Sequence, residues 1–500
     1  MGTGSRRKAR AAGWAAAALL TAAAAAPAGA QDDALAKKVD ELTRQVQALS
    51  AKEAAAPEAE DPKPRAFSFG GDLRVRHDVL VGKIPSYTQF LGTFSGSTPN
   101  TQAVPSQTVR NDSLLTSRLG LDLHVRPMDG VTMKVRLLAD KTWGMEDQGA
   151  TQAGYFADRQ NSSFDGTMGH VPADNSLRVD QAYATVKDLF GAPVWFSIGR
   201  RPSTGGVPTN IRDTRDVSGG AGTPGLMIDY AFDGGTLGMA PEIDALPGFE
   251  SKVCFGRGYD SGYIKGGVGD KDTNMLGASV LAYETPDARV DLQYDRAFGI
   301  FDTIPGPGVR TNLGDIEQYG GSLIRVFRGL GPGDLTVFGS GAASRSTPNS
   351  NRYNAGFGSG NPGLMCDGPD CAQKTGYAFY AGARYDISRT KTKVGAEFNR
   401  GSKDWITFVP AGDDVWTSKL GTRGNVYEAY AVQDLGRAPI TRDARVFFRL
   451  GWQYYDFQYT GSNSWVGTPK RIKDLTPAQM QFMTVLKSAY DVYTTFEVRF

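Results

Sequence analysis

Residues 490 to 500 read Tyr-Asp-Val-Tyr-Thr-Thr-Phe-Glu-Val-Arg-Phe, and their strict alternation is the strongest constraint on what this chain can fold into. In an extended strand Tyr490, Val492, Thr494, Phe496, Val498 and Phe500 share one face, while Asp491, Tyr493, Thr495, Glu497 and Arg499 share the other. Alternation by itself fits a soluble sandwich as well as a membrane barrel. The aromatic ending, in register with the apolar face, tips the choice. A terminal Phe is poorly placed at a fraying soluble edge and suits a barrel-closing strand that ends in an aromatic girdle.

The same alternation recurs from residue 66 onwards. Phe67, Phe69, Gly71, Leu73 and Val75 oppose Ser68, Asp72, Arg74, Arg76 and Asp78; Leu115, Leu119, Leu121, Leu123 and Val125 oppose Arg118, Asp122, His124 and Arg126. Pro127-Met128-Asp129-Gly130 is a tight turn, after which Val131, Met133, Val135 and Leu137 alternate with Lys134 and Arg136. Short turns are expected near 187–193, 285–288, 328–333, 388–391 and 436–443. Long polar stretches lie between them, near 81–112, 141–175, 200–223, 341–375, 400–423 and 456–484. Short and long connections alternating this regularly indicate an antiparallel transmembrane β-barrel of about sixteen strands over 66–500, with both termini on the side of the short turns. Residues 234–251 leave room for a further hairpin. No later run is long and apolar enough for a membrane helix, so membrane residence must come from strands.

The N-terminal region reads differently. Arg6, Arg7, Lys8 and Arg10, the apolar stretch Ala15 to Ala26 and Ala28-Gly29-Ala30 form a signal peptide over 1–30, cleaved before Gln31. Leu35, Val39, Leu42, Val46 and Leu49 form a heptad seam, giving a short periplasmic coiled-coil helix over 31–52. The competing reading is a solitary amphipathic helix, since about two heptads are few for a stable coiled coil. Pro57, Pro62 and Pro64 make 53–65 a linker.

Composition closes off other classes. Taking the four basic signal residues from 55 Lys and Arg leaves slightly fewer than the 53 Asp and Glu, so there is no basic excess for nucleic acid. Cys366 and Cys371 bracket Asp-Gly-Pro-Asp, favouring a small loop disulfide in an exported protein; Cys254 reads as a lone, inert thiol. His77, His124 and His170 lack metal-ligand spacing. Asp270, Asp272 and Asn274 open like a calcium loop, yet Met275 stands where Gly is needed. Gly358 to Gly363 has dinucleotide-like glycine spacing without a βαβ unit. No Ser/His/acid grouping stands out, so neither enzyme activity nor a cofactor is expected.

Charges facing inward, among them Arg74, Arg118, Arg136, Arg178, Arg384, Arg445 and Arg449, are expected to line a water-filled lumen, because unpaired dry burial is costly. The segments 112–121, 177–185 and 198–208 resemble an uncharacterised family of outer-membrane porins of Gram-negative bacteria. The ending Phe496, Val498, Phe500 resembles the C-terminal assembly signal of outer-membrane barrels. The resemblance implies a general porin-like barrel inserted by the barrel assembly machinery among outer-membrane lipid and lipopolysaccharide, passing small hydrophilic solutes. It also implies a third external loop, about 200–223, folded into the lumen; Arg200, Arg201, Arg212 and Arg215 within it are read as lining a constriction that prefers anions, the competing reading being that they pair with neighbouring aspartates or with lipopolysaccharide phosphates. General porins are commonly trimers, so the seam is expected to help three barrels associate, although Val with Leu at its positions leans towards two strands. The alternative function is a sheath around a partner such as a multihaem cytochrome in an electron conduit.

Overall fold

The computed structural model describes residues 66–145, 173–203, 209–214, 225–229, 231–261, 271–302, 311–353, 361–436, 444–480 and 485–500. Expectations for 1–30, 31–52 and 53–65 lie outside the described residues. From residue 66 to the end the chain is one compact unit.

Sixteen antiparallel strands close into a barrel. They are β1 (Phe67–Ile84), β2 (Gln107–Met128), β3 (Val131–Thr142), β4 (Arg178–Val186), β5 (Val194–Pro202), β6 (Ala231–Met239), β7 (Glu250–Tyr259), β8 (Thr273–Thr285), β9 (Ala288–Phe301), β10 (Asn312–Leu330), β11 (Gly333–Pro348), β12 (Lys374–Ile387), β13 (Thr392–Gly401), β14 (Gly424–Asp434), β15 (Arg445–Phe457) and β16 (Ser488–Arg499). Each pairs with its neighbour in sequence, and β1 pairs with β16 from Asp72↔Arg499 to Lys83↔Ser488. At the seam Phe500 and Gly71 exchange both backbone hydrogen bonds at 3.0 Å, and the Phe500 ring lies 6.2 Å from that of Phe69.

The two strand faces separate as the alternation requires. Phe67, Phe69, Ile198, Val253, Phe255, Leu292, Leu323 and Leu450 stand exposed on the outer face, while Asp72, Arg74, Arg76, Asp78 and Asp491 are buried inside. An apolar outer belt on a closed ladder is what a bilayer demands, since no backbone group at membrane depth is left without a partner. Among the described residues no helix is long and apolar enough to cross a membrane. One loop expectation changes here: within 81–112, β1 continues to Ile84 opposite Gln107, and Tyr87–Ser95 pairs with Thr98–Val104 as a protruding hairpin.

The fold class needs one correction. It combined the barrel with a helical coiled coil, and among the described residues helix amounts to single turns, the one α-helical turn being α1 (Thr209–Arg212). The heptad seam that was to supply the coiled coil lies outside the described residues. The coiled-coil part of the fold class is withdrawn.

Glycine has a specific use on the inner face. A Cβ on Gly451 would come within 2.2 Å of the Tyr493 ring, one on Gly395 within 2.3 Å of Tyr430, and one on Gly238 within 2.3 Å of Trp195. Large rings thus lie flat across the neighbouring strand, which only a missing side chain permits. Gly451→Leu is expected to displace Tyr493 and destabilise the barrel by roughly 1–3 kcal/mol, read from urea unfolding in detergent. Gly339→Ala, where a Cβ meets nothing within 4 Å, should leave the transition unmoved.

Candidate functional site

The lumen is partly filled by the chain's own loops. The described parts of the β5–β6 connection, 209–214 with α1 and 225–229, lie inside the barrel; the β13–β14 connection, 402–423, crosses to meet them. Phe408 N–H donates to Met227 O at 2.8 Å, Ile228 pairs with Phe408 as a parallel bridge, and the Thr407 hydroxyl donates to Leu226 O at 2.8 Å. An inward loop was expected at about 200–223, of which 209–214 is described and lies inside; an inward 402–423 was not expected. Its signal was in the sequence: Trp405, Ile406, Phe408, Trp416 and Leu420 are all buried, and a loop facing water gains nothing from two tryptophans. The described stretch 458–480 packs against it, Trp465 lying edge-on to Phe408 and its Nε1 donating to Phe301 O at 2.7 Å. The Arg423 guanidinium ties these segments together by donating to the carbonyls of Trp405 (3.0 Å), Gly461 (2.8 Å) and Ser464 (2.5 Å).

Ion pairs clasp both inward loops to one wall, formed by β1 and β12–β16. Lys419 of the loop lies between Glu397 of β13 and Glu428 of β14, donating to both, at 2.6 Å in the case of Glu428. Glu428 also accepts from Tyr493 (2.6 Å), Gln453 (3.0 Å) and Arg212 of α1 (3.3 Å). Asp413 receives Arg74, with Arg76 and Arg118 each 4.0 Å away. Burial alone would raise the Asp413 carboxyl, but Arg74, Arg118, Arg76 and Arg212 hold it well below the usual carboxylate range. Burial and Arg212 would lower the Lys419 ammonium, and Glu397 and Glu428 reverse this and raise it.

All seven lumen candidates fall on the inner face, but dry pairing replaces water for several. Arg74, Arg384 and Arg449 are buried; Arg384 is held by Asp386 at 2.7 Å and Ile211 O at 2.5 Å, and Arg449 by Asp213 at 3.2 Å. Arg136 bridges Asp72 (2.6 Å) and Asp122 (2.5 Å). Arg118 reaches Asp72 at 3.3 Å, Arg178 reaches Asp174 at 3.8 Å, and Arg445 shares the inward parity at the exposed start of β15. Phe496, Val498 and Phe500 lie on the outer face, in register with exposed Val492. Cys366 and Cys371 form a disulfide. Asp272 is engaged by Ser261 and Arg257.

The four-arginine constriction is corrected. Arg200 shares outward parity with exposed Phe196 and Ile198 and makes a two-point pair with Asp233, its register partner on β6, at 2.6 and 2.9 Å. It therefore lies outside the lumen. Arg212 is inside but its charge is met by Asp414 (3.2 Å), Glu428 and Asp213 (3.4 Å). Arg215 lies outside the described residues. Arg201 faces inward, its Nε and Nη1 having no acceptor among the described residues.

The closed ladder, the apolar belt and the charged, loop-narrowed interior define a sixteen-stranded outer-membrane barrel of porin-like type. The chain belongs to the family described as Protein of unknown function (DUF3373), which matches residues 108–500. No curated protein matches the sequence. Among solved structures it is similar to the in-vitro folded outer-membrane protein OmpT of Vibrio cholerae in its trimer form (12% identity, 87% of this chain and 99% of that one, TM-score 0.39). It is also similar to the outer membrane channel DcaP of Acinetobacter baumannii (12% identity, 86% and 96%, TM-score 0.38).

Asp413 sets an acid limit on the clasp. Its carboxyl ionises more readily folded than unfolded, so its stabilisation is complete above the ordinary carboxylate pKa and disappears as pH falls below it. Between about pH 5 and pH 2 the wild type should lose more thermal stability than Asp413→Asn. At neutral pH that variant, which leaves Arg74 buried without its anion, is expected to cost about 3–5 kcal/mol, measured by chemical unfolding.

Proposed function

We propose that this protein is a passive-diffusion channel for small hydrophilic solutes, whose open path runs along the β2–β4 wall. The observation that carries this reading is the unequal wetting of the two walls. Beside the clasped loops, the side chains of Arg76, Asp78, Glu428 and Asp491 are at most 2% exposed. On β2–β4, Asp122 keeps 20%, Lys134 29% and Arg178 34%. Lys134 and Asp122 lie towards the Asp129–Gly130 turn and Arg178 at the far end of β4, with the buried pair Arg136 and Asp180 between them; partly wet charges on one wall are what small solutes follow. Transport rather than chemistry is the role we assign. A sheath around a haem protein is disfavoured, because the chain's own loops occupy the interior such a partner would need.

Purified protein in planar bilayers should give stable conductance steps. Replacing 403–421 by a short Gly/Ser turn should enlarge the steps while the barrel still shows heat-modifiable migration. An inserted, correctly migrating wild type that never conducts would sink the reading.

A further inference from the structure

We infer that the inner wall around β5 and β7 carries a binding site for a short-chain monocarboxylate, built on Arg201 and Lys252. Its role as a step on a solute path rests on the channel reading; binding itself does not.

Arg201 and Lys252 both point inward and are each 7% exposed. On the opposite wall the buried cations Arg74, Arg76, Arg212 and Lys419 each have a carboxylate within ion-pair distance. Here the pattern breaks. The Arg201 Nε and Nη1 have no acceptor among the described residues, and neither an ion pair nor a hydrogen bond engages Lys252 there. A buried guanidinium with unmet donors is costly, and it is a ready site for an oxyanion. The Arg201 guanidinium lies 5.5 Å from the Trp195 ring centre and 6.0 Å from that of Tyr183. These rings hold the cation by its π-attraction and can offer its N–H groups no oxygen acceptor in return.

The surrounding charge selects the class of anion. Glu250 lies within electrostatic range of both cations and Asp295 within range of Lys252, yet neither makes an ion pair with them. Asp295 instead accepts from Gln293 Nε2. Charge is thus balanced at a distance while the donors stay unmet, a setting that takes one carboxylate and repels a phosphate dianion. Beside Lys252 and Cys254 a cavity is walled by buried Ile228, Phe232 and Met275 and reaches Ser203 at the root of the inward loop. That apolar side is narrow, about 30 Å³, and is not lined by Arg201, so it takes only the end of a short hydrocarbon tail while the carboxylate lies between the cations.

The test is calorimetric titration of the detergent-solubilised full chain with butyrate and with its neutral counterpart butyramide. Butyrate should bind at least roughly tenfold more tightly than butyramide. Arg201→Gln and Lys252→Met should each weaken butyrate by about tenfold or more, and Arg200→Gln, on the outer face, should not. Equal binding of butyrate and butyramide, or no butyrate binding by the wild type at tens of millimolar, overturns the proposal. That wild-type comparison decides even if a variant fails to show heat-modifiable migration. A barrel that binds butyrate but never conducts keeps this site and loses the channel reading; one that conducts without binding does the reverse.

Discussion

A strand that crosses hydrocarbon cannot leave its edge unpaired, and everything else in this molecule follows from how that requirement is met. The β1–β16 pairing removes the last two edges, so the ladder has no end at which backbone groups face lipid. Closure forces an inside and an outside, and the period of two distributes side chains between them. The outer face needs only to be greasy. The inner face must accommodate arginines and carboxylates in a space that water reaches unevenly.

The inside solves that problem in two ways on two walls. Along β1 and β12–β16, loop and wall charges neutralise one another: Lys419 between Glu397 and Glu428, Asp413 against Arg74. Breaking such a dry pair is far more costly than the pair's net gain, so this wall is rigid. Along β2–β4 the charges stay partly wet, as at Lys134 and Arg178. Rigidity on one side and hydration on the other give a narrowed bore whose position is fixed by electrostatics rather than by strand number alone.

Strand identity was legible because alternation is local: Tyr490 to Phe500 and Phe67 to Asp78 sort onto their faces as read from sequence. The Arg200 assignment went astray although the same rule contained the answer, since Phe196, Ile198 and Arg200 share a parity that Arg201 does not. Treating the arginines as one cluster overrode a strand that continues to Pro202. The clasp was illegible for a different reason. Nothing near Asp413 in sequence indicates that its partner is Arg74, and only closure of the ring brings them together. The buried tryptophans of 402–423 were a visible hint that this loop does not face water.

The Asp413–Arg74 contact spans 339 positions, and that span has a consequence in time. Loop 402–423 emerges between β13 and β14, but part of its anchorage belongs to β1 and β2, which reach it only when the first strand meets the last. Local hairpins form early and such distant contacts form late, so the plug is the final piece to seat. During biogenesis the barrel passes through a stage that is already a ring and is not yet narrowed. The loop then records that the ring has shut, and it seats only in a barrel of the right circumference.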